Sequence, residues 1–191
     1  MANKDAAFGL KPIGKVGQNR DNQGLSEYDI AASATAIYFN DPVKMKNDGT
    51  IEVAGAGGAI LGSINGVFFT DATTSKPTFA NHLNASNTAT DIVGFISDDP
   101  YERFEIQTNN TGASAKTDIF NVADIEYTAG SSPDFVSAVE LNDSTLAQGS
   151  SATLQILGLS RDPDNNDVGS ANVNWIVRIN EHELDMNVNG V

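Results

Sequence analysis

Val43-Lys44-Met45-Lys46-Asn47-Asp48-Gly49-Thr50-Ile51-Glu52-Val53 places an apolar residue at every second position on both sides of an Asn-Asp-Gly turn. Strand side chains alternate between two faces, and Asn, Asp and Gly tolerate positive φ, so the segment reads as a β-hairpin. The same signals continue outward. Upstream, Tyr28 and Ile30 alternate with Asp29 and Ala31, and Ile37-Tyr38-Phe39 runs into the breaker Asn40-Asp41-Pro42. Downstream, Ile60–Phe69 reads as a long strand through the centre of a sheet, its glycines permitting a bulge or a close backbone approach.

Strand patterns return at 91–97, at 104–107 beyond the Asp98-Asp99-Pro100 corner, and at 136–141, 152–159 and 173–180. In the last of these Val173, Trp175, Val177 and Ile179 share one face, with Asn174, Arg178 and Asn180 on the other. The alternation implies a half-exposed strand or a subunit contact. Residues 70–90, with Pro77, Phe79 and Leu83 as isolated anchors, read as a long surface loop. Residues 117–127 fit neither period, which leaves a short helix open there.

Residues 1–25 differ in character. Gly9, Gly14, Gly17, Gly24 and Pro12 separate Phe8, Leu10, Ile13 and Val16 too irregularly for a helical stripe. They read as an extended arm ahead of a single-domain body at 26–191. The expected class is all-β, barrel or sandwich-like, with long loops, little helix and one core.

Composition narrows the function classes. With 11 Lys+Arg against 25 Asp+Glu the net charge is −14, which opposes phosphate neutralisation and argues against nucleic acid as a partner. Residues 1–20 depart from this balance, with Lys4, Lys11, Lys15 and Arg20 against Asp5 alone. A solvated tail is one reading of that asymmetry, and a segment with its own partner is the other. The absence of cysteine excludes disulfides, thiolate zinc sites and a thiol nucleophile. No run has the apolar core of a signal peptide or approaches membrane-spanning length, so a soluble product made in the cytoplasm, without a membrane partner, is expected.

Chemical motifs fall short of their requirements. Gly55-Ala56-Gly57-Gly58 lacks the Gly-Lys-Ser/Thr that completes a phosphate loop. Asp162–Asp167 gathers oxygen ligands, but Asp167 and Val173 stand where an EF-hand needs Gly and Glu. Glu181-His182-Glu183 alternates across a strand, so its histidine faces away from both glutamates. No Gly-x-Ser-x-Gly elbow occurs. The expectation is a non-enzyme with no catalytic residues, cofactor or metal.

Asn40-Asp41-Pro42-Val43, the hairpin 44–53, the Ala/Gly-rich connection into Ile60-Leu61-Gly62 and the returning Val93-Gly94-Phe95 resemble the β-tulip class of tailed-bacteriophage capsid decoration, or cement, proteins. In that class a strand leaves a Gly-Asp-Pro-Val corner and a second strand reads Val-Leu-Gly-Val. Here Asn40 stands in place of the Gly, and Ser63-Ile64 follow Gly62. The likeness covers about a third of the chain. It implies a β-tulip fold and a virion location on the outer capsid surface, with trimers clamping neighbouring major capsid subunits.

From these features the arm is expected to lie across adjacent subunits, with Phe8, Leu10, Ile13 and Val16 supplying burial and Lys11, Lys15 and Arg20 supplying register. Deleting residues 2–20 is then expected to leave a folded body that no longer binds. The competing readings are a head-tail connector or tail-fibre module and, from the abundance of acids, a small acidic hydrolase.

Overall fold

The computed structural model describes residues 2–17, 24–109, 114–149 and 151–185. The fold is all-β: among these residues the only helical elements are single 3-10 turns at Lys116–Asp118 and Asp143–Thr145. The strands are β1 (Lys11–Lys15), β2 (Ser26–Asp29), β3 (Pro42–Met45), β4 (Ile51–Val53), β5 (Gly62–Thr70), β6 (Pro77–Ala80), β7 (Val93–Ser97), β8 (Glu102–Gln107), β9 (Val122–Ala123), β10 (Ile125–Glu126), β11 (Glu140–Leu141), β12 (Leu154–Leu159) and β13 (Asn174–Ile179).

They form two irregular barrels, the first from β2 to β7 and the second from β8 to β13 together with β1. In the first, antiparallel strands run β2-β7-β5-β3-β4, with β6 also on β5, and a bridge between Ile30 and Ile51 joins the two ends of the sheet. The β3–β4 hairpin closes as its sequence requires. Lys46 N–H donates to the Thr50 carbonyl at 2.9 Å, Gly49 sits at φ +83°, and the Asp48 carboxylate accepts from the Thr50 amide. Strand β5 lies at the centre, with its bulge between Ile64 and Gly66. Gly62 is there because a Cβ would meet the Ser97 carbonyl oxygen at 2.2 Å.

The second barrel runs β1-β8-β13-β12-β9, continues from β9 into β10, which pairs β11, and returns where Thr108 bridges Leu141. Its β13 is flanked on both sides, by β8 and β12. The inward face Val173, Trp175, Val177 and Ile179 is buried as the alternation requires. Asn174 differs from expectation. It is buried too, and its side chain accepts a hydrogen bond from Gln107 Nε2.

Three further expectations change. Each barrel has its own cluster of buried residues, so the described residues hold two cores. Pro77–Ala80, inside the expected long loop, is strand β6, since Phe79 and Thr78 pair with Phe68 and Phe69. Residues 117–127 resolve into a 3-10 turn followed by β9 and β10, too short for either period to register.

The N-terminal segment is the largest change, because it is part of the body. Strand β1 precedes the first barrel in sequence yet pairs with β8 of the second. On the way it passes between the two. Leu10 N–H donates to the Asn40 carbonyl at 3.0 Å and its carbonyl accepts from Ser63 Oγ at 2.6 Å, both in the first barrel, while its side chain is fully buried in the second core. Returning chain reinforces the seam: Ile60 N–H donates to the Glu181 carbonyl, and Met45 N–H to Glu183 Oε2 at 2.7 Å.

Candidate interaction surface

The arm residues expected to meet a partner separate into three groups. Leu10 is core, and Lys15 pairs with Asp99 at 2.8 Å with its side chain largely covered. Phe8 is half-buried beneath Lys11, whose ammonium lies 5.8 Å from the ring centroid and 3.3 Å from Glu105 Oε2. Lys11, Ile13 and Val16 are exposed. Arg20 lies outside the described residues.

Ile13 borders an open groove of about 780 Å³ between β1 and the β7–β8 corner, together with Leu25, Leu184, Asp98, Asp99 and Glu102. The edge of β1 there is blunted. Pro12 has no N–H, the pairing shifts between Pro12 and Gly14, and Gly14 N–H donates to the Glu102 carboxylate at 3.1 Å. Burial raises the Glu102 carboxyl above its ordinary range, and the Gly14 amide and Lys15 oppose that rise. Side chains in this groove, more than an added strand, are what a partner would contact.

A second apolar surface went unread in the sequence. Strand pairing sets Phe79 beside Phe68, Phe68 beside Val93, and Val93 beside Asp29 on one outward-facing row; Phe95 and Glu27 form the next. Phe79 is 70% exposed, and its ring stacks on Phe95 with centroids 5.1 Å apart. One signal was available. Phe68 and Phe69 are consecutive in a strand, so one of them had to point out of the barrel.

The chemical motifs find ordinary places. Asp98 accepts from the Tyr28 hydroxyl at 2.6 Å, and burial together with that carboxylate pushes the phenol up to about 12. Asp162 accepts the Asp164 amide in a turn, and Gly55–Gly58 is an exposed loop. His182 is buried at the seam, with Nδ1 accepting the Leu184 amide; burial lowers its pKa and keeps the ring neutral. Among the described residues no three His, Asp or Glu side chains are placed to hold a metal ion, and no helix is long and apolar enough to cross a membrane.

Asp41 is the acid with a measurable consequence. It is fully buried and accepts the Tyr38 amide at 2.8 Å. Burial pushes its carboxyl up to about 6, against the Ser137 hydroxyl and that amide. Because the folded value exceeds the unfolded 3.8, the folded state holds the proton more tightly, so this contribution is complete below about pH 4 and lost as pH rises through 6. Asp41→Asn keeps an acceptor for Tyr38 and removes the titration. In urea unfolding from pH 4 to 8, the variant is expected to gain on the parent as pH rises, by about 3 kcal/mol above pH 7. A constant difference across that range would contradict the assignment.

No family model, curated protein or solved structure matches this chain.

Proposed function

We propose that the chain is a virion structural protein that decorates the outer surface of a tailed-phage capsid and stabilises it by clamping neighbouring major capsid subunits. It has no catalytic role in this reading. The observation that supports it is the corner at Asn40-Asp41-Pro42-Val43. Asn40 sits at φ +67°, a conformation that Gly adopts freely and Asn tolerates, so replacing the class's Gly by Asn preserves the corner. Asp41 is buried against the Tyr38 amide, and Pro42 opens β3. The positions that carry the resemblance are therefore built as one structural unit.

Among the described arm residues, Lys11, Ile13 and Val16 are left for the shell, because they are exposed, Lys11 and Ile13 on strand β1, which β8 anchors, and Val16 just beyond it. Ile13→Ser combined with Val16→Ser is expected to leave folding intact and weaken binding to undecorated shells by roughly 10-fold or more. Reconstruction of decorated particles tests the role itself. Decoration requires hundreds of copies spread over the shell, whereas a dozen or fewer at one vertex would assign the chain to a connector.

A further inference from the structure

We propose that the carboxylates gathered where the N-terminal segment meets β10 and β11 form a pH-operated latch, which holds residues 3–6 on the second barrel while Glu140 is protonated and loosens them as it ionises. The inference stands apart from the decoration reading.

The segment is fastened on both sides of one acid. Asn3 Nδ2 donates to the Asp167 and Ala171 carbonyls, at 3.1 and 2.8 Å, and Asn3 Oδ1 accepts the Asp167 amide. Buried Gln107 donates through Nε2 to the Lys4 carbonyl and accepts the Ala6 amide on Oε1, so Asp5 is pinned between two bonds to one side chain. The next residue of the barrel, Thr108, bridges Leu141, which places Asp5 beside the β10–β11 pair.

The charges there are all of one sign. Glu140 on β11 lies directly opposite Glu126 on β10, and like charges opposite each other on paired strands repel. Asp5 and Asp143, the latter in the 3-10 turn after β11, face Glu140 as well. Asn109 Nδ2 donates to Glu126, whereas among the described residues the Glu140 and Asp5 carboxylates take neither a hydrogen bond nor an ion pair. These side chains are not placed to hold a metal ion, which leaves the proton to relieve the repulsion.

Glu140 is half-buried. Burial, with Asp5 the foremost of the neighbouring charges, pushes its carboxyl up to about 7 from the ordinary 4.5. The held state therefore binds the proton more tightly than the released one, so the hold is complete below about pH 4.5 and is lost as pH rises through about 7. Asp5 itself is exposed, and water and salt screen its share, which keeps the expected change moderate.

Hydrogen exchange on the full chain between pH 5 and 8.5 tests this, read as the protection factor of the Ala6 amide so that the intrinsic pH dependence of exchange cancels. Protection is expected to fall about 3- to 10-fold with a midpoint near pH 7, while the β13 amides keep theirs. Glu140→Gln is expected to hold the parent's acid-side protection at every pH. Asp5→Lys is expected to remove the fall, because an ionised Glu140 then attracts the segment. A protection factor flat with pH in the parent, a fall that survives in Glu140→Gln or in Asp5→Lys, or a fall shared equally by β13 would each overturn the proposal.

Discussion

Removing residues 2–17 is expected to unfold the second barrel, so it cannot serve as a clean removal of a tether. Strand β1 is lost from β8, and Leu10 is lost from a core in which it is fully buried beside Phe104 and Trp175. Polar groups are stranded at the same time. Gln107, itself buried, receives the Ala6 amide on Oε1 and donates through Nε2 to the Lys4 carbonyl; buried Asn165 also donates to that carbonyl. Leaving such groups without partners costs about 1–3 kcal/mol each, and emptying the Leu10 site costs about 2–5 kcal/mol. Together these approach the whole stability of an ordinary domain, about 5–15 kcal/mol. Leu10→Ala separates the packing contribution from the strand. Its urea midpoint is expected to fall by the equivalent of about 2–5 kcal/mol with an unchanged slope, and a truncated chain that keeps the parent's midpoint would refute the account.

Gly9→Ala is expected to damage the same seam from the backbone side. Gly9 sits at φ +73°, and a Cβ there would lie 2.4 Å from the Asn40 carbonyl oxygen and 2.5 Å from Ser137 Cβ. The carbonyl is held in place, because Leu10 N–H donates to it and the Asn40 side chain bonds the Phe8 carbonyl. Left-handed backbone costs a non-glycine residue about 1–2 kcal/mol, and overpacking adds about 1–3 kcal/mol. Gly49→Ala is the control. It has a similar φ of +83° but open space around it, so it carries only the backbone cost. Calorimetry should place the Gly9 variant well below the Gly49 variant in melting temperature, and equal melting temperatures would remove the steric part of the argument.

The arm and the hairpin differ in how much their own residues reveal. Lys44–Glu52 pairing and the Asp48–Thr50 contacts join residues close in sequence, so the alternation and the turn chemistry are sufficient. Leu10 has no such neighbours. Its partners lie beyond residue 39, and a single apolar residue among glycines and a proline carries no period. The same limit hid β6. Its strand character comes from Phe68 and Phe69 across the sheet, and read alone Pro77-Thr78-Phe79-Ala80 is polar loop with one aromatic. The interaction surface divides likewise. The exposure of Lys11 fits a solvated cation, but the burial of Lys15 against Asp99 depends on where the β7–β8 corner falls.

By itself the sequence determined the all-β class, the central hairpin, the long strand that became β5 and the inward face of β13, since each follows from alternation and turn residues within one segment. Tertiary structure decided that there are two cores, that the N-terminal segment is the strand joining them, and that Phe79 faces outward beside Phe95. The physical reason is distance along the chain. Burial and pairing between remote segments depend on where the backbone returns, which no local pattern encodes.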